Sequence, residues 1–97
     1  MTFKVDESKL EDLIPSRMHG AIVRYLEEGI PPGGFLQAII ANDLKGAVGR
    51  ADSENITRIG DYVTFFYNYA PSTSWGSQEK MDSWLASFQE KEAENTG

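Results

Sequence analysis

Two short stretches of the chain have the residue types and spacing that bind anions. In the first, Gly33 and Gly34 lie between Pro32 and Phe35 at the start of a predicted helix. The first N–H groups of a helix have no partner within it, and the positive end of the helix dipole attracts phosphates and carboxylates. However, the stretch has neither the G-x-G-x-x-G spacing nor a P-loop lysine. We therefore favour a tight turn between helices here and keep anion binding as the alternative.

The second stretch gathers polar groups around Asp52. Arg50 and Arg58 carry planar guanidinium groups that can hold a phosphate or a carboxylate, and Asn55 lies between them in the sequence. Aspartate is also a preferred helix N-cap and pairs with nearby arginines, so we favour this structural role over binding. If a ligand does bind, we expect its contacts to come from Gly33, Gly34, Arg50, Asp52, Asn55 and Arg58.

The chain lacks the residues that most catalytic and metal sites need. Its only histidine is His19, and it has no cysteine. Thiolate chemistry, disulfides and cysteine-based zinc sites are therefore excluded. No serine or threonine lies in a nucleophile elbow, and no second histidine could activate one. We predict a protein that is not an enzyme and that holds no metal or cofactor.

Helices are expected to position these groups. Apolar residues repeat at helical spacing in five segments, at about 9–14, 15–28, 34–51, 53–70 and 77–88. Gly29 is expected to end the second segment in a left-handed conformation. Gly46 and Gly49 weaken the third segment by about 1 kcal/mol each relative to alanine, which indicates either a closely approaching backbone or a break at Gly46.

The end of the fourth segment is ambiguous, because residues 63–69 also have strong strand propensity. We favour a helix there, since both boundaries of the segment carry helix signals. The sequence therefore predicts an all-α fold, a compact bundle of four to five short helices. We expect a single domain over residues 1–97, with a flexible arm at residues 1–8 and a flexible polar tail at residues 89–97.

A second aromatic stripe runs along the fourth segment. Tyr62, Phe65 and Tyr69 lie beside the predicted core stripe, and Trp75 follows on a loop. A chain of this length has little interior in which to bury both stripes, and tyrosine and tryptophan are enriched at binding surfaces. We therefore predict that these four residues form an interface, with a second copy of the chain or with another protein.

Composition narrows the range of partners. The 97 residues carry 15 acidic side chains against nine lysines and arginines, for a net charge of −6. Nucleic-acid binding depends on clustered basic residues, so direct binding to DNA or RNA is not expected. No window is long and apolar enough for a membrane span, and the N-terminus lacks the apolar core of a signal peptide. We expect a cytoplasmic protein without membrane contact.

A set of single residues in a fixed order, rather than a catalytic motif, extends from about residue 15 to residue 85. These residues are Met18, Gly20, Tyr25, Gly29, Pro32, Gly33, Phe35, Leu36, Asn42, Asp43, Leu44, Arg50, Ala51, Asp52, Asn55, Tyr67, Asn68, Ala70, Pro71, Trp75, Gly76, Ser77 and Trp84. Their order resembles that of a group of small uncharacterised proteins encoded by tailed bacteriophages and prophages. The resemblance implies a phage accessory protein acting in the host cytoplasm, but it implies no activity.

Three functional hypotheses follow. The first is a non-enzymatic phage accessory protein, homo-oligomeric, that binds and inhibits a host component such as a defence protein. The second is an oligomeric binder that sequesters a small anionic nucleotide. The third is an acidic DNA mimic, although the negative charge is concentrated in residues 1–14 and 72–97 rather than spread along one face.

Overall fold

The chain folds into helices joined by short turns. The computed structural model describes the backbone of residues 3–96 and the side chains of residues 3–89. Its α-helices are α1 (Glu7–Leu13), α2 (His19–Val23), α3 (Gly34–Ile40), α4 (Leu44–Arg50), α5 (Ile59–Tyr69) and α6 (Gln78–Thr96). A π-helical turn, Arg24–Glu28, continues α2, and single 3₁₀ turns lie at Ser16–Met18, Asn55–Thr57 and Ser72–Ser74.

The predicted fold class is confirmed for the described part of the chain, which contains helices and no strand. Residues 63–69 lie within α5 and are helical, as favoured above. Residues 3–96 contain six α-helices rather than four to five, because the predicted third helix is divided into α3 and α4. The Cα radius of gyration of 13.3 Å is that of a compact domain of this length.

Most of the predicted arm and tail lies within the described residues. Met1, Thr2 and Gly97 lie outside the described residues. In the predicted arm, Val5 is buried in the core and its N–H donates to Glu27 Oε2 at 2.9 Å. The backbone of the predicted tail belongs to α6 as far as Thr96. Whether these segments are flexible remains a prediction.

Aromatic side chains fill the centre of the molecule, and their polar atoms have partners. Tyr25, Tyr62, Phe65 and Phe66 are all fully buried. The Tyr62 hydroxyl donates to Asn55 Oδ1 at 2.8 Å, and burial raises the pKa of Tyr62 to about 12. Burial likewise raises the pKa of Tyr25, whose hydroxyl donates to the Ser74 carbonyl at 2.6 Å. Both phenols therefore stay neutral hydrogen-bond donors at physiological pH.

Gly29 ends the π-helical turn as predicted. Its φ of 70° lies in the left-handed region, and its N–H donates to the Tyr25 carbonyl. A methyl group at this position would lie 2.3–2.5 Å from carbon atoms of Phe88 on α6. Glycine is required here both by the backbone conformation and by the close contact with α6.

We expect Gly29→Ala to lower the free energy of unfolding by about 2 to 4 kcal/mol, because a left-handed conformation and a displaced Phe88 both cost energy. Urea denaturation of the purified protein measures the change. The matched control is Gly49→Ala, since no atom lies within 4 Å of a methyl group there; it should raise stability by up to about 1 kcal/mol. Equal effects of the two substitutions would contradict this account of Gly29.

Candidate functional site

A corner between α3 and α4 separates two depressions of the surface. Asn42 has a φ of 61°, so it ends α3 in the left-handed conformation. The N–H of Asn42 donates to the Ile39 carbonyl, and the N–H of Asp43 donates to the Ala38 carbonyl. This is the hydrogen-bond pattern of a Schellman motif. Asp43 then caps α4, because its Oδ1 accepts from the Gly46 N–H at 3.0 Å.

The helix break therefore lies at Asn42 rather than at Gly46. Position 46 needs a glycine for a different reason, because a methyl group there would lie 2.3 Å from Asp43 Oδ2. The close neighbour is the capping carboxylate and not a second backbone. At Gly49 the predicted close approach is absent, because nothing in the described part of the chain lies within 4 Å of its methyl position.

One depression, which we call the polar cleft, lies between α3, α4 and the start of α6. Its volume is about 350 Å³, and it is lined by Gly34, Gln37, Ala38, Ala41, Asp43, Arg50 and Gln78. The Arg50 side chain crosses Gly34, since a methyl group on Gly34 would lie 3.0 Å from Arg50 Cδ. Arg50 takes part in none of the ion pairs formed by residues 3–89. Two of the predicted ligand residues, Gly34 and Arg50, are thus in contact.

The other predicted ligand residues do not line this cleft. Asp52 Oδ1 accepts from the N–H groups of Glu54 and Asn55, and Asp52 Oδ2 is 2.5 Å from Arg17 Nη2. Two interactions hold the pKa of Asp52 below its usual value: the hydrogen bond from the Asn55 N–H has the larger effect, and the contact with Arg17 has the smaller one. Asp52 thus caps a 3₁₀ turn and pairs with an arginine, which is the structural role favoured from the sequence. The arginine is Arg17, which the sequence analysis did not select.

Asn55 and Arg58 also have partners within the chain. Asn55 is buried, and its Oδ1 accepts the Tyr62 hydroxyl. Arg58 Nε donates to Asp61 Oδ2 at 2.7 Å, and Arg58 Nη2 donates to the Leu13 carbonyl at 2.7 Å. Gly33 is the exposed N-cap of α3 and does not line the polar cleft. The six predicted ligand residues therefore do not form one site.

The second depression is apolar and lies between α4 and α5. Most of its lining is apolar, with Asn42 and Asp43 at the corner: Ala38, Ile39, Asn42, Asp43, Leu44, Ala47, Ile59 and Val63. Exposed apolar side chains continue it outward, at Val48 one turn beyond Leu44 and at Tyr67 one turn beyond Val63. We call this surface of Leu44, Val48, Ile59, Val63 and Tyr67 the α4–α5 face. Leu44 is 67% exposed and Tyr67 is 77% exposed.

The predicted interface residues lie elsewhere. Tyr62 and Phe65 are fully buried, so they offer no surface to a partner. Tyr69 and Trp75 are half-buried; Tyr69 lies beneath the Lys9 ammonium group, and Trp75 lies against Phe66 with ring centroids 5.9 Å apart. The prediction was wrong for Tyr62 and Phe65, because both α1 and α3 pack against α5 and the Phe35 ring lies 5.2 Å from the Tyr62 ring. On the same helix, Tyr67 is exposed.

The described residues contain no cluster of three acidic or histidine side chains that could hold a metal ion. None of the helices in this part of the chain is long and apolar enough to cross a membrane. Comparison of the chain with protein-family models, curated proteins and solved structures gave no significant match.

The corner offers a test of this site geometry. We expect Asn42→Ala to lower the free energy of unfolding by about 1 kcal/mol, because alanine tolerates the left-handed conformation poorly. Asn42→Gly should change it by less than about 0.5 kcal/mol, since glycine adopts that conformation freely. The urea denaturation midpoints of the two variants, compared with that of the wild type, measure these changes in stability. If alanine and glycine had the same effect, Asn42 would not hold the left-handed cap.

Proposed function

We propose that the protein is a non-enzymatic accessory protein of a tailed bacteriophage that binds and inhibits a component of the bacterial host in the host cytoplasm. The α4–α5 face is the observation that supports binding, and it is the surface that we assign to the host component. The phage context rests on the sequence resemblance. The target is named only by class, as a host protein with a complementary apolar surface.

The composition of the α4–α5 face suits protein binding. Large exposed apolar side chains are scattered on most soluble proteins, whereas contiguous ones mark interaction surfaces. Four of the six large apolar side chains that are exposed among residues 3–89 belong to this face: Leu44, Val48, Val63 and Tyr67. Tyr67 adds an aromatic ring with a polar end, the type of residue that often dominates binding energy.

The two helices that carry the face, α4 and α5, are anchored in the fold. Asp43 caps α4, and Ala47, the buried residue of α4, anchors that helix on the core. On the other side, α5 is anchored by the buried Tyr62, Phe65 and Phe66. Side chains carried on such helices lose little conformational entropy when a partner binds, because their backbone is already fixed. The face is therefore suited to recognition without a folding step.

We expect Leu44→Ser to weaken host inhibition, because it removes a large apolar contact from the centre of the face. The experiment expresses the wild type and the variant in a bacterial host and compares growth, with cross-linking in the cell to identify the protein held by the wild type. A hot-spot leucine should lower the affinity for that protein by at least about tenfold, the equivalent of 1.4 kcal/mol.

The matched control for Leu44→Ser is Ile30→Ser, since Ile30 is 43% exposed and lies outside the α4–α5 face. It should inhibit growth and capture the cross-linked protein as the wild type does. Circular dichroism checks that both variants fold. If the wild type slowed growth and Leu44→Ser slowed it equally, the face would not be the inhibitory surface.

A second candidate function is the sequestration of a small anionic nucleotide in the polar cleft. The specific observation in its favour is the position of Arg50, which lines a cleft of about 350 Å³ beside Gly34 without an ion-pair partner among residues 3–89. Cavities of this size hold small ligands. Arginine binds phosphate through two parallel hydrogen bonds, so it is the residue that would fix a phosphate group there.

We expect a bound nucleotide to raise the melting temperature of the wild type, because a ligand that binds only the native state stabilises it. Thermal-shift screening against nucleoside mono-, di- and triphosphates and cyclic nucleotides measures the increase. Arg50→Gln should abolish it, whereas Lys45→Gln, which removes a charge of α4 outside the cleft, should not. No increase with any nucleotide would rule this function out.

A further inference from the structure

We propose that, before a host component binds, a second copy of the chain covers the α4–α5 face, so that the protein is stored as a symmetric homodimer. The proposal rests on the proposed function, since it assigns a regulatory step to the same surface. Host binding and dimer formation then compete, and the active species is the monomer.

The size of the exposed surface is the first argument. Leu44, Val48, Val63 and Tyr67 are 67%, 48%, 41% and 77% exposed. Together they expose several hundred Å² of mostly apolar surface, on the order of half the roughly 800 Å² that each partner contributes to a standard interface. Polar groups around the face can supply the remaining interface area, as they do at the rims of known interfaces. The face is thus large enough for a dimer of moderate affinity.

The shape of the face is the second argument. Two helical ridges, α4 and α5, border a shallow groove. In an isologous dimer each copy offers the same surface, so a ridge of one copy can enter the groove of the other. Gly60 lies three residues before Val63 on α5, and nothing in the described part of the chain lies within 4 Å of its methyl position. A second backbone can therefore approach α5 closely at this position.

Charge is the third argument. Two copies of a chain with a net charge of −6 repel each other, so a stable contact must avoid opposing like charges. None of the five residues of the face is charged. The charged residues next to them in the sequence are Asp43, Lys45 and Arg58, of both signs, and Asp43 also lines the groove. Residues 1–14 and 72–97 carry −2 and −3 of the total. The face is therefore the part of the surface where self-repulsion opposes contact least.

The consequence is a concentration-dependent inhibitor. At high concentration the dimer shields the apolar face from unspecific contacts, and dilution or a tighter-binding host protein releases it. Each monomer can bind only one partner at this face, so chains held in the dimer cannot bind the host protein. The apparent affinity for the host protein is therefore the affinity of the monomer multiplied by the fraction of chains that are monomeric. A variant that keeps its host contacts but cannot dimerise would inhibit more strongly.

Sedimentation equilibrium and light scattering of the purified protein test the proposal. We expect a mass of twice 10.8 kDa at high concentration, with dissociation to monomers on dilution. Leu44→Ser and, independently, Val48→Ser should each raise the dimer dissociation constant at least tenfold, and the control Ile30→Ser should leave it unchanged. Two variants are used because one of them could disturb α4 itself, which circular dichroism would show.

Two results would overturn the dimer. One is a monomer at all concentrations up to about 1 mM, the range in which even weak association is measurable. The other is a dimer that neither Leu44→Ser nor Val48→Ser weakens. If the protein is monomeric but its growth inhibition still depends on Leu44, the dimer is refuted and the proposed function stands. A face-dependent dimer without any effect on growth supports the dimer and refutes the proposed function.

Discussion

The buried side chain of Tyr25 is the constraint on which the rest of the structure depends. Its hydroxyl donates to the Ser74 carbonyl at 2.6 Å, and its own carbonyl accepts from Trp84 Nε1 at 3.1 Å. A buried hydroxyl without a partner costs about 1 to 3 kcal/mol, so the 3₁₀ turn at Ser72–Ser74 must stay beside the π-helical turn. One residue thereby ties the second helical segment to α6, 59 positions further along the chain.

The position of α6 in turn explains why α3 ends where it does. The Gly76 N–H donates to the Ile40 carbonyl at 2.7 Å, so the chain entering α6 satisfies a carbonyl at the end of α3. The chain then turns at Asn42 and starts the short α4, whose only buried residue is Ala47. A helix that packs through one small residue leaves its remaining apolar side chains exposed, and these are Leu44 and Val48.

The helices and several of their ends could be predicted from the sequence, because spacing of apolar residues and cap residues act locally. Gly29 and Asp52 have the predicted structural roles for this reason. Asn42 followed by Asp43 is also a local signal, because it combines a left-handed helix end with an N-cap directly after it. Apolar residues continue at helical spacing through residues 34–51, however, and this pattern predicted one uninterrupted helix. The burial of Tyr62 and Phe65 could not be predicted in this way. It depends on contacts of α5 with α1 and α3, which are distant in the sequence. Periodicity alone does not say which of two adjacent stripes another helix will cover.

The two candidate surfaces are physically linked through α4. Asp43 lines both the polar cleft and the groove of the α4–α5 face, and Arg50 and Leu44 lie at opposite ends of the same seven-residue helix. Because α4 carries residues of both surfaces, a shift of this helix caused by a partner on one surface would alter the other surface. Any such coupling is reciprocal, so a ligand in the cleft and a protein on the face would change each other's affinity by the same factor. The short helix that results from the break at Asn42 is therefore the element through which either candidate function would influence the other.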